Sequence, residues 1–260
     1  MKKFFALALL ISAWLVAGES FAQGFDWQYS PRLPFETPKF FIGAAGEAAY
    51  VEHGGEFGFL EDNEPCCNFQ RGFGTGFRAL LLSEYWLQPE LALAVRIGYS
   101  SYPGDFRMQT KQLRYSDLHG EYSAVYENRY ESSFSYANFE VSAKRRIYLT
   151  HFFASAAVES GLLVNSEEKE TERVVSPDFE TFKDGTIIHE ITTGEVPGLR
   201  SVYAAARFGA GYDFNLGNGS YGSIVANVSL PLNSLSGAGA WNRRTYSIGV
   251  QLMRGFLIDF

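Results

Sequence analysis

Hydrophobic and polar residues alternate along the last stretch of the chain, Tyr246–Phe260. One face carries Tyr246, Ile248, Val250, Leu252, Arg254, Phe256, Ile258 and Phe260, and the other carries Thr245, Ser247, Gly249, Gln251 and Met253. A period of two residues is the pattern of a β-strand. Aromatic residues bracket the apolar face about ten residues apart, a length that crosses a lipid bilayer as a tilted strand. The stretch therefore predicts a membrane-spanning β-strand.

The same alternation recurs in seven earlier segments, which brings the predicted strands to eight. These segments are 40–50, 72–85, 91–100, 137–144, 152–162, 202–213 and 223–230. Short turns near 87–90, 145–150 and 215–219 alternate with long segments at 52–71, 103–132, 165–200 and 233–244. Short periplasmic turns and long extracellular loops alternate in this way in bacterial outer-membrane barrels. The predicted fold is all-β, an eight-stranded antiparallel up-and-down transmembrane β-barrel with both termini in the periplasm.

The charged residues decide which face of each predicted strand meets lipid. A soluble barrel of the lipocalin type would place its apolar face inside. Here nine charges share the small and polar face: Glu47, Arg78, Glu84, Arg96, Glu140, Lys144, Glu159, Arg207 and Asp213. Arg254 is the clear exception, and it lies close enough to the chain end to reach periplasmic headgroups. A charge that faces lipid at mid-bilayer costs about 2–4 kcal/mol, so the apolar face is expected to lie outside, in the outer membrane.

Six of the inward charges lie near the middle of their predicted strands: Glu47, Arg78, Arg96, Glu140, Glu159 and Arg207. Three acids and three bases at one level predict an interior belt of ion pairs, with Glu47–Arg78 and Arg96–Glu140 expected between neighbouring strands. An eight-stranded barrel is only wide enough for side chains to fill, which favours a charge-neutral plug. The alternative is a gated pore or a proton path.

The residues before the first predicted strand have a different character. Lys2 and Lys3, an apolar core and the small-x-small site Ser20–Phe21–Ala22 predict a secretory signal peptide over 1–22. Three prolines within 23–38 preclude a regular strand or helix there, so this segment is expected to be a periplasmic lead-in. Residues 39–260 are expected to form one barrel domain. No run of 18 apolar residues follows the signal peptide, so no helical membrane span is expected.

Residues 39–260 resemble the transmembrane barrel of the outer membrane protein A type in strand number, alternation and chain end. Tyr246, Phe256, Ile258 and the terminal Phe260 resemble the C-terminal insertion signal of bacterial outer-membrane proteins. The segment Cys66–Phe69 followed by Gly72-x-Gly74-x-Gly76 is similar to a pattern in some outer-membrane barrel families. The resemblance implies a structural or surface-interaction role, contact with outer-membrane lipid and lipopolysaccharide, and insertion by the outer-membrane assembly machinery. The peptidoglycan-binding domain of two-domain members is not expected after the last strand.

The remaining sequence features leave ligand and redox chemistry open. Cys66 and Cys67 are the only cysteines, and in an oxidising compartment they are candidates for a vicinal disulfide or for intermolecular pairing. The glycines at 72, 74 and 76 fit a crowded strand better than a phosphate loop. The acidic segment 165–200 is expected to be either a solvated surface or a site for cations that bridge lipopolysaccharide. The tyrosine-rich segment 103–132 is expected either to contact glycans or to continue the strands above the membrane.

The same residues bear on function classes other than a structural barrel. A net charge of −7 opposes binding to the phosphates of a nucleic acid, and no nucleic-acid partner is expected. The four histidines, His53, His119, His151 and His189, are scattered without a serine partner at fixed spacing. No catalytic, cofactor or metal site is therefore expected. A narrow channel for small polar solutes and an outer-membrane lipid-modifying enzyme remain the alternatives, and the sequence leaves any extracellular ligand open.

Overall fold

The computed structural model describes residues 39–61, 64–88, 90–109, 113–117, 120–147, 150–177, 179–217, 219–237 and 241–256. Within these ranges no helix is long and apolar enough to span a membrane. The predicted signal peptide, the lead-in over 23–38, His119, Ile258 and Phe260 lie outside the described residues. The backbone of Cys66 and Cys67 belongs to a strand, and their side chains are outside what is described.

Ten strands are present in the described chain. They are β1 (Phe40–Glu61), β2 (Glu64–Gln88), β3 (Leu91–Gln109), β4 (Leu113–Asp117), β5 (Gly120–Arg146), β6 (Phe152–Ser176), β7 (Ile188–Gly194), β8 (Val202–Gly217), β9 (Ser220–Pro231) and β10 (Asn242–Phe256). Eight of them close an antiparallel ring in the order β1-β2-β3-β5-β6-β8-β9-β10 and back to β1. β4 and β7 add to β5 and β6 outside the ring. The predicted all-β, eight-stranded antiparallel barrel is confirmed.

The strand registers fix how steeply the strands tilt. From Glu47, successive paired residues lead through β2, β3 and β5 to Leu163 on β6. In the other direction they lead through β10, β9 and β8 to Phe153 on the same strand, ten residues away. This stagger, with the usual spacings within and between strands, corresponds to a tilt of about 40°. That tilt lies in the range of small membrane barrels.

Apolar side chains cover the outside of the ring, as the alternation predicts. Exposed outward residues include Ile42, Leu81, Val95, Ile97, Val141, Val158, Ile248, Val250 and Leu252. Aromatic side chains border them on one side at Tyr50, Phe73, Phe77, Tyr99 and Tyr246, and on the other at Tyr85, Phe152, Tyr212 and Phe256. We call the outward surface between these borders the apolar band. Ten tilted residues give it a height of about 25 Å, which matches the hydrocarbon band of outer-membrane barrels.

Strands continue well beyond the apolar band, where the sequence predicted long loops. β3 and β5 stay paired as far as Gln109 and Glu127, and β6 runs to Ser176. The expectation of loops over most of 52–71 and 103–132 is therefore wrong, and for 103–132 the alternative of continuing strands is the correct one. Above the bilayer the outer face meets water, so charged residues replace the apolar ones while backbone pairing continues. In the sequence, this loss of alternation cannot be told from the end of a strand.

Candidate functional site in the barrel lumen

Alternation along the strands aims six charged side chains from six different strands into one level of the lumen. They are Glu47 (β1), Arg78 (β2), Arg96 (β3), Glu140 (β5), Glu159 (β6) and Arg207 (β8), and we call them the ionic belt. Their exposed fractions lie between 1% and 4%. The structure brings all six together. Since three carboxylates face three guanidinium groups, the belt is charge-neutral.

Arg78 is the hub of the ionic belt. Its Nη2 atom lies 3.1 Å from Oε2 of Glu140 and 3.0 Å from Oε2 of Glu159, and its Nη1 atom lies 3.4 Å from Oε2 of Glu47. Glu140 and Glu159 belong to strands that are not adjacent to β2 in the ring. One guanidinium therefore joins three carboxylates across the lumen.

The other two arginines complete the belt. Arg96 donates to Glu140 over 2.9 Å. Arg207 lies 2.5 Å from Glu47 and, more loosely, 3.7 Å from Glu159. Both neighbouring-strand pairs that the sequence predicted, Glu47–Arg78 and Arg96–Glu140, are present. Burial makes each charge dependent on its partners, because an unpaired ion in this low-dielectric interior is costly.

A second ionic cluster lies nearer the end of the lumen where the short turns connect the strands. Asp213 forms two ion pairs: its Oδ1 lies 2.9 Å from Nζ of Lys144, and its Oδ2 lies 2.7 Å from Nη2 of Arg146. It also accepts a hydrogen bond from Ser223. Glu84 lies 3.8 Å from Lys144 and accepts a hydrogen bond from Tyr221. The sequence placed Glu84, Lys144 and Asp213 on the inner face but missed Arg146. Arg146 has the inward parity of Lys144, a signal hidden because the predicted strand ended two residues earlier.

Aromatic rings pack around this second cluster and form the floor of the lumen. The Arg146 guanidinium lies 4.1 Å from the Trp86 ring, and the Lys144 ammonium lies 4.3 Å from the Phe153 ring. Phe41 packs edge-on against Tyr221 at 5.1 Å. Cation–π contacts of this kind are strengthened by exclusion of water.

Buried aromatic residues close the opposite end of the lumen, and we call Phe106, Phe134, Trp241 and His53 the aromatic cap. Trp241 packs edge-on against Phe134 at 5.2 Å and against Phe106 at 5.8 Å. The Trp241 indole donates to Nδ1 of His53 over 3.2 Å, and Nε2 of His53 lies 3.3 Å from the Pro103 carbonyl. A neutral imidazole with its proton on Nε2 satisfies both contacts.

Sequence reasoning missed the aromatic cap because His53 and Trp241 both fell in predicted loops. One local signal was present in the glycine at position 72. A Cβ at Gly72 would lie 2.4 Å from the Phe106 ring, so the bare backbone there makes room for the cap. The interpretation of this glycine as relief of crowding on the lumen face agrees with that contact.

The other two histidines of the described ranges, His151 and His189, lie on different elements. His151 lies at the turn before β6 against Tyr212, and His189 lies on β7 against Phe182. Among the described residues no group of three or more His, Cys, Asp or Glu side chains is placed to hold a metal ion. Paired charges and packed rings fill the lumen itself.

The structure is similar, at low sequence identity, to solved structures of bacterial surface and outer-membrane proteins. No protein-family model and no curated protein matches the sequence. Among solved structures, Neisserial surface protein A is 10% identical with a TM-score of 0.38, over 84% of this chain and 97% of that chain. Ail of Yersinia pestis is 8% identical with a TM-score of 0.33, over 83% of this chain and 99% of that chain. The outer membrane protease OmpT of Escherichia coli is 10% identical with a TM-score of 0.36, over 87% of this chain and 99% of that chain.

The architecture of this chain, independently of those similarities, indicates where the protein is located. A closed antiparallel ring removes every unpaired strand edge at bilayer depth, where unsatisfied backbone groups are not tolerated. Its outside carries an apolar band with aromatic borders, and its inside carries paired charges. That combination is the one found in outer-membrane barrels. The protein is an eight-stranded β-barrel of the bacterial outer membrane.

Proposed function

We propose that the protein is a non-conducting outer-membrane barrel with a structural or surface-interaction role. The observation that carries this proposal is the filling of the lumen at three successive levels. The floor around Asp213, the ionic belt around Arg78 and the aromatic cap around Trp241 each consist of side chains that are almost completely buried. A hydrated ion would have to displace all three. The strand number supports the same view, because eight strands leave room only for side chains.

The extracellular part of the chain supports a role at the cell surface. β4, β5, β6 and β7 are neighbours in one sheet, and β7 ends the sheet order among the described strands. Its outward edge offers backbone groups of the kind to which an added strand can bind. Ile188 at the start of this strand, and Ile187 and Phe179 in the connection before it, are each about half exposed. These features favour contact with a macromolecule over transport of a solute.

Ion pairs on the outer surface hold this extracellular sheet together. Asp105 of β3 accepts from Arg129 of β5 at 2.9 Å, six residues beyond the apolar border at Tyr99. Lys169 of β6 pairs with Glu190 of β7 at 2.9 Å. At this height the chain would also meet the sugars and phosphates of lipopolysaccharide, and the apolar band below would meet lipid. Both remain proposed partners, as does the outer-membrane assembly machinery.

A narrow channel is the second candidate, and one observation favours it. Several buried polar atoms at the level of the belt have no hydrogen-bond partner within the described part of the chain, among them Oε1 of Glu47, Nε of Arg207 and Nδ2 of Asn227. Such atoms in a native interior are usually satisfied by water. Water inside the lumen would be compatible with a path for small polar solutes.

Single-channel recording in planar bilayers distinguishes the two candidates. Purified wild-type barrel should insert without discrete conductance steps, while a general porin in the same bilayers provides the positive control. Insertion is verified independently by protection of the apolar band from a water-soluble protease. Reproducible steps from verified wild-type insertions would reject the non-conducting proposal and favour the channel.

A further inference from the structure

Arg243 of β10 occupies a cage of tyrosine rings between the ionic belt and the aromatic cap. Its guanidinium carbon lies 3.9 Å from the Tyr102 ring centre, 4.3 Å from that of Tyr203 and 5.0 Å from that of Tyr136. The residue is 6% exposed. Ring faces stabilise a cation, but they do not accept all of the hydrogen bonds that a guanidinium donates.

Arg243 differs from the six residues of the belt, because no described carboxylate forms an ion pair with it. Among the described residues, no carboxylate oxygen lies within 4.0 Å of its guanidinium nitrogens, and its Nη1 atom has no hydrogen-bond partner. Among the belt carboxylates, Glu159 interacts electrostatically with Arg243. Oε2 of Glu159 is ion-paired with Arg78 at 3.0 Å and lies 3.7 Å from Arg207, and a carboxylate oxygen can accept a further hydrogen bond. A buried donor without a partner and a carboxylate oxygen with remaining acceptor capacity therefore lie in the same region.

Arg243 and Glu159 line the same small cavity, which has a volume of about 10 Å³. That volume is about the least that holds one water molecule. Cavities that stay empty in proteins are lined by apolar groups. Part of this lining is apolar, from Ala204, Ala205, Pro231 and Leu235, but the cavity also meets two charged groups of opposite sign and the polar side chains of Ser229, Asn233 and Thr245.

We propose that one buried water molecule bridges Arg243 and Glu159 in this cavity. Its oxygen accepts from Nη1 of Arg243, and one of its hydrogens is donated to Oε2 of Glu159. A small anion would satisfy the guanidinium but would meet the Glu159 carboxylate across the same cavity, so it would be repelled. A ligand that both accepts and donates suits Nη1 of Arg243 and Oε2 of Glu159, and the cavity volume matches one water molecule.

The bridge gives Arg243 an indirect link to the ionic belt. Glu159 already contacts Arg78 and, through its other oxygen, accepts from Tyr203. Tyr203 is itself one wall of the Arg243 cage. The water therefore closes a ring of contacts that joins the belt to the residues under the aromatic cap. This role is independent of whether the barrel conducts.

A crystal structure of the wild-type barrel at a resolution that shows ordered water tests the proposal directly. We expect one density peak within hydrogen-bond distance of both Nη1 of Arg243 and Oε2 of Glu159. Crystals grown in bromide distinguish water from an anion by anomalous scattering, and no bromide signal is expected at the peak. A bromide signal, an empty cavity or a direct Arg243–Glu159 contact would overturn the proposal.

Thermal unfolding in detergent gives a second measurement. Ser229→Val fills the cavity, and it should lower the unfolding temperature more in the wild-type background than in Arg243→Met, where no donor needs the water. Ser142→Val, a buried lumen serine that does not line the cavity, is the matched control and should give equal shifts in both backgrounds. Equal shifts for Ser229→Val in the two backgrounds would contradict the bridge. If Arg243→Met does not fold, the wild-type crystal structure still decides.

Discussion

Removing Arg78 is the most informative perturbation of the lumen. Its guanidinium contacts Glu47, Glu140 and Glu159 within 3.4 Å, and its side chain is 1% exposed. Arg78→Ala leaves three buried carboxylates facing the two guanidinium groups of Arg96 and Arg207. One negative charge is then uncompensated where water has little access.

The expected loss is large on the scale of single substitutions. Breaking a buried ion pair by removing one partner costs about 3–5 kcal/mol. For a domain of this size, 1 kcal/mol corresponds to about 2–4 °C in the unfolding temperature. Arg78→Ala should therefore unfold about 6–20 °C below the wild-type barrel. Arg78→Met, which keeps most of the volume, should lose a similar amount if charge and not packing is responsible.

The assay is heat-dependent mobility of the detergent-solubilised barrel on a gel, scored as the folded fraction against temperature. Arg254→Ala is the matched control, because that arginine lies on the outer face and its guanidinium makes, among the described residues, one hydrogen bond, to Ser220 at 3.0 Å. A surface substitution of this kind should stay within about 0.5 kcal/mol. Adding Glu140→Gln to Arg78→Met restores neutrality in the belt and should recover part of the loss.

Two results would refute this reasoning. If Arg78→Ala and Arg254→Ala unfold at the same temperature, the belt is not a low-dielectric site. If Arg78→Met is as stable as wild type while Arg78→Ala is not, the arginine acts through its volume alone. Either result would also weaken the proposal that the lumen is closed.

Three further predictions address topology, assembly and pH. Trypsin applied to intact cells should cut after Lys183, which is exposed in the β6–β7 connection, and cleavage only at Arg145 would invert the topology. Deletion of Phe260 should reduce folded barrel in the outer membrane without blocking secretion, and unchanged assembly would place the insertion signal elsewhere. Partial burial opposes ionisation of Asp105, but hydrogen bonds from Arg129 and a neighbouring arginine outweigh it and hold the pKa of this carboxyl below its usual value. The Asp105 carboxylate contributes stability above its pKa in the unfolded state, and this contribution is lost as the pH falls through its pKa in the folded state. Wild type should therefore lose more stability than Asp105→Asn between about pH 5 and about pH 3. Equal losses would show that the ion pair is not stabilising.

The sequence by itself determined the fold class, the number of ring strands and the direction in which each side chain points. These features are visible in the sequence because the lipid selects apolar residues on the outward face of each strand at bilayer depth, while inward residues can be charged. The alternation that results is local and can be read one strand at a time. Neighbouring-strand pairs such as Arg96–Glu140 followed from strand order, because adjacent inward residues at one level have few other partners.

Only the tertiary structure decided which residues meet across the lumen. Arg78 with Glu159, and Arg207 with Glu47, join strands that are not neighbours, so their contact depends on the stagger accumulated around the whole closed ring. Above the bilayer both faces of a strand meet water or packed aromatic residues, and the alternation that marks a strand disappears. The aromatic cap at Trp241, the cage around Arg243 and the extracellular sheet were hidden for that reason: their positions are set by ring closure and by packing between distant segments.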